Sequence, residues 1–530
     1  MKTTINKISK IFLVIALFSF GCSEDFLQYD QRGVQTVESF YQTDDQVLEA
    51  LMAVFDQWQG GMGFNHVYML NALSDESYAG GGARGDNSGI LEELNEYRFT
   101  PTTSAVSGYY SWMYNCINRS NLVIDNTVPD TDNKAMFVAM AKALRGYAYF
   151  YLSNLWGEVP LVLHELNPEE YNQPRTPMAE INAQIEQDFT DAIAVLPQQS
   201  DMPAAYEQLL SKGSVQAMLG KHYLYQEKFA EAASVFQNII DSGNYDLYPD
   251  FSKVLRKESE HGVESVFELN FSSSLSYASI FGPEAGIGGW VVMNGPRPEY
   301  LPAPTFFMLG LFPYSWGFIN PHKEMYDAYV AAGDNVRLAS TIVGPDELAA
   351  IGSAPYQTPA GFVPYGSDGY LDMKYLGYTS EGSGADGWTQ FSNVGTNVRM
   401  IRYADVLLMA AEAYNRSGND DKAQTYINEV RARVSLDPVS STGADLFEDI
   451  KTERKLELAF EMVRYMDLQR WGDAYEALKD QGKKVPNGSG GYYEPQGAGY
   501  DQGKNELLPI PEYEMTVNTA LEGQQNPGYN

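Results

Sequence analysis

Cysteine is all but missing: Cys22 and Cys116 are the only two in 530 residues. So sparse a pair supplies no disulfide framework, and the chain must hold itself together by burying a core, for which it is long enough. Histidine is nearly as scarce, and the five (His66, His164, His222, His261 and His322) include no pair at metal-ligand spacing. There is no HExxH helix, no GxSxG elbow and no Walker loop. Basic residues fall short as well. The 36 Lys and Arg face 69 Asp and Glu, and the resulting net charge of −33 repels nucleic acid and weakly disfavours strongly anionic polysaccharides. Long apolar runs are confined to Ile11–Phe20, too short for a lasting span of a ~30 Å hydrocarbon core. So many acids make carboxylate pairs plentiful without singling out one of glycosidase type.

What is present begins with a leader. Lys2, Lys7 and Lys10 precede the apolar run, and Gly21-Cys22 follows it at once. That is the pattern of a lipoprotein signal, so residues 1–21 are expected to be removed and Cys22 lipidated, leaving Cys116 without a partner. Ser19 and Phe20 depart from the ideal lipoprotein box, which leaves ordinary secretory cleavage as the alternative. Ser23, Glu24 and Asp25 resemble the acidic export signal of lipoproteins displayed on the cell surface. Aromatic residues make up 13% of the chain, with 37 tyrosines and 7 tryptophans. Acid plus aromatic with few basic patches suits a neutral, hydroxyl-rich ligand.

Helical periodicity dominates both ends. Thr43 and Gln46 stand in capping-box spacing, and Val47, Leu48, Leu51, Met52, Phe55 and Trp58 then fall on one face. Residues 135–155 read as a second helix, stopped by Gly157 and Pro160, and Thr176-Pro177 as the cap and first position of a helix ending near Pro197. Leu219-Gly220-Lys221-His222-Tyr223, then Ala232 and Phe236, fits tetratricopeptide hairpin spacing. In such a hairpin Gly220 and Ala232 let two antiparallel helices approach, while Tyr223 and Phe236 fill the gap. A looser copy runs through Ala411, Tyr414, Ala423 and Ile427, and a third is split between Ala148 with Tyr151 and Ala192 with Leu196. The copies are unevenly spaced. The expected fold is therefore all-α dominated, an irregular tetratricopeptide-like helical scaffold over about 40–245 and 400–475, with long loop-rich insertions and a few short strands.

The main insertion runs from about 262 to 400. Phe267, Leu269 and Phe271 alternate with Glu268 and Asn270 as in a short strand. Gly, Pro, Ser and aromatic residues then crowd 281–316 and 361–391, and loops of that length are functional or disordered; the aromatics favour function. Gly80-Gly81-Gly82-Ala83-Arg84-Gly85 satisfies GxGxxG, but residues 73–79 make a poor strand and Asp86-Asn87-Ser88-Gly89 opens no helix, so it reads as a flexible glycine loop.

The C-terminal third carries a more specific series. Arg402-Tyr403-Ala404-Asp405-Val406-Leu407-Leu408-Met409 leads into Ala411-Glu412-Ala413-Tyr414. Then come Glu453-Arg454-Lys455-Leu456-Glu457-Leu458-Ala459-Phe460-Glu461, Arg464, Asp467-Leu468 and Arg470-Trp471-Gly472. The end reads Leu508-Pro509-Ile510-Pro511 and Gln525-Asn526-Pro527-Gly528-Tyr529. With Cys22, Ile117–Asn121 after Trp112, and Leu155-Trp156-Gly157-Glu158-Val159-Pro160-Leu161, this series resembles the SusD/RagB family of outer-membrane nutrient-binding lipoproteins over nearly all of the mature chain. The resemblance implies one SusD-like domain over 22–530 and a non-catalytic protein that binds a glycan. It also implies a place at the outer membrane, lipid-anchored and facing the cell exterior, over a TonB-dependent (SusC-like) transporter barrel that takes the oligosaccharide in. It implies no cofactor and no nucleic-acid partner. A peptide-binding family member and a surface glycoside hydrolase stay open as alternatives.

The motifs themselves read as structural. Glu457, Glu461, Arg464 and Asp467 are spaced as a charge-laced helix face, and Trp58, Trp112, Trp156 and Trp471 as core. Ligand contacts are expected instead in the inserted loops, at Trp290, Tyr314, Trp316 and Trp388, with Trp316 foremost because Pro313-Tyr314-Ser315-Trp316-Gly317 sets two aromatics in a tight segment. Asn71, Asp75 and Tyr78, before the glycine run, are the polar candidates that would orient the sugar.

Overall fold

The computed structural model describes residues 37–86, 89–271, 294–297, 299–301, 303–311, 315–352, 364–376, 378 and 396–529. Cys22, Trp290, Tyr314 and Trp388 lie outside these residues. Helix α1 (Asp44–Gly60) opens with the capping box read from the spacing: Gln46 N donates to Thr43 Oγ1 at 3.3 Å and Thr43 N donates to Gln46 Oε1 at 3.0 Å. Its buried face is Val47, Leu51, Val54, Phe55 and Trp58, whereas Met52, at the margin of the expected stripe, is exposed. A short strand β1 (Ser77–Ala79) follows, then α2 (Ser104–Asn126) and α3 (Asp132–Trp156). Trp58 stacks on Tyr147 of α3 at 5.5 Å, and Trp112 and Trp156 are buried beside them.

The paired helices appear where the small residues fall. Helix α4 (Met178–Val195) packs on α3, and a Cβ added to Gly146 would stand 3.1 Å from the Phe189 ring. Its start differs from expectation. Pro177 is the cap rather than the first helical residue, and Thr176, held extended by the proline after it, donates its N–H to the Val159 carbonyl at 3.0 Å. Helices α5 (Lys212–Tyr225) and α6 (Phe229–Asp241) form the tetratricopeptide-like hairpin, with the Phe236 ring filling the space where a Gly220 Cβ would lie at 2.5 Å.

Strand β2 (Ser265–Leu269) opens the insertion, and it is covered on both faces. The alternation puts Glu268 on the polar side of the strand. It is buried instead, with Arg399 Nε at 3.2 Å. The stretch from 262 to 400 also holds more regular structure than its composition suggests: β3 (Ile319–Pro321), α7 (Lys323–Ala332) and the short helices Asn335–Thr341 and Pro345–Ala350. The chain returns to the scaffold through β4 (Val398–Arg402), antiparallel to β2 with Leu269 opposite Val398, and through the hairpin α8 (Tyr403–Arg416) and α9 (Asp420–Arg433).

Helices α10 (Gly443–Glu457) and α11 (Arg464–Trp471) correct the reading of one continuous charged face. Helix α10 ends at Glu457, and in the turn beyond it Phe460 and Met462 adopt φ of +63° and +62°, left-handed conformations that no continuous helix contains. Most of the charges therefore pair with distant segments, and only Asp467 with Arg470 pairs along its own helix. Arg402 donates to both Glu461 oxygens at 2.7 Å and to Glu457 at 3.0 Å, and it reaches Glu264. Arg433 and Arg337 also hold Glu457, Lys374 holds Glu461 at 2.6 Å, and Asp467 pairs with Arg454 and Arg470. Trp471, read as core, is half-buried with its indole N–H on Glu412 at 3.1 Å. The hairpin β5 (Val485–Pro486) and β6 (Tyr492–Tyr493) and helix α12 (Glu512–Val517) complete the chain. The C-terminal motif closes on the N-terminal half: Trp156 donates its indole N–H to Pro509 O at 2.9 Å, and Asn526 Nδ2 donates to Trp156 O at 2.9 Å and Leu508 O at 2.6 Å.

Candidate functional site

Segments from both halves of the chain meet around β1. Tyr78 stands opposite Asn320 of β3, and single bridges continue the register from Gly81 to Tyr365 and from Tyr365 to Asn487, next to β5 and β6. Glycine permits this convergence. A Cβ on Gly80 would lie 2.0 Å from Asn320 Nδ2 and 2.5 Å from the Gly317 carbonyl, so the Asn320 carboxamide reaches Gly317 O and Gly366 O only because position 80 is bare. Gly366, with φ +62°, presses so close that a Cβ would stand 2.4 Å from the Ala79 carbonyl.

The glycine run is not the flexible loop expected. Gly82 N donates to Asp86 Oδ2 at 2.9 Å, Gly85 N donates to Glu92 at 2.8 Å, and Tyr300 donates its hydroxyl to Gly82 O at 3.0 Å. Arg84 grips Glu96 and the Tyr365 hydroxyl and lies 3.8 Å over the Tyr493 ring. Arg297 ties the loop to the insertion, pairing with Asp86 and Glu299 and donating to Trp316 O at 3.3 Å. Asp86 and Glu96 are thus spent on arginines and Glu92 on a backbone N–H, an arrangement that positions backbone and rings.

Trp316 sits beside this loop. Its indole is half-buried against the core and 5.4 Å from the Phe318 ring. Tyr78 is half-buried too, leaning on His322 at 4.0 Å. Asn71 and Asp75 are placed otherwise than in an open loop. Asn71 belongs to the short helix Met69–Ala72, is 1% exposed, and donates its Nδ2 to Phe460 O at 3.1 Å. Asp75 faces Arg464 at 2.7 Å and Lys455 at 3.3 Å. Burial works to raise its pKa, but the Arg464 and Lys455 charges prevail and hold the carboxyl well below the usual range. Both residues fasten β1 to the turn after α10 from beneath. Spacing along the chain gives no sign of Arg84, Arg297 or Tyr365, because the contacts of Arg84 with Tyr365 and of Arg297 with Asp86 span hundreds of residues.

Glu76, between Asp75 and β1, is the electrostatic weak point of that fastening. Its carboxylate accepts from Phe460 N at 3.2 Å, and burial, reinforced by Asp75, pushes its pKa up to about 8. The folded chain therefore keeps a proton that the unfolded chain loses above its ordinary carboxylate value, so stability falls as pH rises from about 4.5 to about 8. Glu76→Gln removes this loss: its melting temperature gains on wild type steadily between pH 5 and pH 8. A gap that does not change with pH contradicts the assignment.

Among the described residues no group of three or more His, Cys, Asp or Glu is arranged to hold a metal ion. What the face offers is half-open aromatic rings with polar groups held at fixed positions, the chemistry of sugar recognition.

Residues 45–224 match a family model described as starch-binding associating with outer membrane, and residues 369–529 match the model of the SusD family. A SusD-like protein of Formosa agariphila is 26% identical over 98% of this chain and 99% of its own. Among solved structures, a laminarin-binding SusD-like protein superimposes with a TM-score of 0.78 at 31% identity, over 92% of this chain and 100% of that one. A surface glycan-binding protein of Bacteroides thetaiotaomicron, in complex with laminarihexaose, has a TM-score of 0.74 at 23% identity over 92% of this chain and all of its own, which is a likeness of fold. With the helical scaffold shared end to end at 31% identity and both halves matched by family models, the chain belongs to the SusD family.

Proposed function

We propose that this protein binds a neutral glycan at the cell surface, without cutting it, and passes it to a TonB-dependent transporter. The observation that carries the reading is the convergence on β1: an ordered glycine loop, fixed by arginines, beside the half-open indole of Trp316. An aromatic face covers the C–H side of a sugar ring, and removing ~40 Å² of apolar surface from water contributes ~1 kcal/mol per ring. A few such contacts with hydrogen bonds give dissociation constants on the order of micromolar to millimolar. The 31% identity with a laminarin-binding protein makes laminarin the first probe, and the family description makes starch the second.

Trp316→Ala is expected to weaken laminarin or starch binding at least several-fold with little change in melting temperature, read by calorimetric titration and thermal unfolding. Unchanged affinity, or a large loss of stability, would assign the indole to the core. Anchorage at Cys22 and the transporter partnership are tested together. Gentle detergent extraction should recover the protein with a large outer-membrane barrel, and in cells lacking that barrel Cys22→Ala should leave the membrane, since buried acyl chains contribute about 0.8 kcal/mol per CH₂. Full membrane retention of that variant, or a protein that always runs alone, speaks against this arm.

A further inference from the structure

Asparagine followed by glycine occurs twice in the chain, at Asn294-Gly295 and at Asn487-Gly488. A glycine has no Cβ to keep its backbone nitrogen away from the preceding carboxamide, so both pairs read alike in sequence. The structure separates them. Asn487 follows β5 in the turn into β6 and is exposed, and Gly488 after it has a φ of +73°. The Asn487 carboxamide is held by its oxygen: Oδ1 accepts from Ser489 N at 2.9 Å and from Gly491 N at 3.1 Å. Its Nδ2 and the Gly488 N–H donate to nothing among the described residues. Two N–H groups therefore aim at the oxygen that turns negative when a nucleophile adds to Cγ, the arrangement that stabilises an oxyanion. The nitrogen that adds and the nitrogen that leaves are tied to no partner.

Asn294 is the opposite case. It is 2% exposed, and neither its Oδ1 nor its Nδ2 has a hydrogen-bond partner among the described residues. Gly295 O accepts from Gly317 N at 3.0 Å, and a Cβ on Gly295 would stand 2.4 Å from Ser315 Oγ. Water and base are kept out, no donor meets the developing charge, and the peptide is fixed against its neighbour.

We propose that Asn487 is a site of spontaneous deamidation, a modification that the fold permits there and blocks at Asn294. A base removes the Gly488 amide proton, and the nitrogen bonds to Asn487 Cγ. The Cγ–Nδ2 bond breaks, and Nδ2 leaves as ammonia with a proton taken from water. Water then opens the succinimide at Cγ to give aspartate, or at the main-chain carbonyl to give isoaspartate, whose extra methylene lies in the backbone. Either product adds a negative charge. Isoaspartate also lengthens the chain where Asn487 N donates to Gly491 O at 2.9 Å and where Asn487 bridges Tyr365, whose hydroxyl accepts from Arg84. The change thus reaches the edge of the candidate site.

The test incubates the purified protein at mildly alkaline pH, folded and in urea, and follows both asparagines by peptide mass spectrometry. Asn487 in the folded protein is expected to convert within two-fold of its rate in urea, and faster as pH rises, whereas folding slows Asn294 at least ten-fold. Asn487→Gln, whose longer side chain must close a larger ring, removes the fast conversion and leaves Asn294 unchanged. Folding that slows Asn487 as much as Asn294 overturns the proposal, and so does conversion of Asn487 that does not rise with pH.

Discussion

Replacing Arg402 with methionine is expected to destabilise the protein by about 3–5 kcal/mol, the usual result of removing one member of a buried ion cluster. Arg402 is 2% exposed and bonds Glu264, Glu457 and Glu461, three carboxylates that come from the insertion boundary, the end of α10 and the turn after it. Arg433, Arg337 and Lys374 remain in the variant, but none stands where Arg402 met Glu461 with two of its three nitrogens. Burial works to raise the Glu461 pKa and the Arg402 charge works to lower it, so without the arginine the carboxylate is left closer to its desolvated state. Denaturant unfolding measures the effect. A loss under about 1 kcal/mol would mean that the cluster tolerates a missing charge as a surface network does.

Gly366→Ala is expected to be the most damaging small substitution at the site. The left-handed conformation costs an alanine about 1–2 kcal/mol, and here the added methyl also meets the Ala79 carbonyl oxygen at 2.4 Å, a backbone atom that no rotamer change can move. The segment at Tyr365 and Gly366 must then separate from β1, taking Tyr365 off Arg84. Laminarin binding should fall at least ten-fold, with a lower melting temperature. Gly352→Ala is the control, since Gly352 also has positive φ, +73°, but nothing lies within 4 Å of its Cβ position. If the two variants behave alike, the close approach does not matter to the site.

Much of the scaffold was legible because its signals are local. The Thr43–Gln46 capping box, the Gly220 and Phe236 contact and the buried Trp58, Trp112 and Trp156 follow from spacings of a few residues. The charged series from Glu457 to Asp467 misled, because a helix and a turn that pairs with distant segments show the same spacing. What distinguishes them is the positive φ of Phe460 and Met462, for which neither residue type gives a signal. Of the candidate site, loop aromatics and the glycine run point to Trp316 and Tyr78, which stand half-buried near β1, whereas Asn71 and Asp75 are polar groups turned inward, and composition does not tell a buried carboxamide from an exposed one. The glycines of the run mark close backbone approach rather than looseness, and that shows only once Asn320 and Gly366 stand beside them.

The central claim is that this chain holds a neutral glycan and leaves it intact. The most direct measurement incubates the purified protein with laminarin and with starch, records the binding isotherm at low and high salt, and assays the same samples for new reducing ends. The account predicts saturable binding to one of them, little changed by salt because the ligand carries no charge, with no reducing ends released over many hours. Release of reducing ends, or no binding to either polysaccharide, would contradict it.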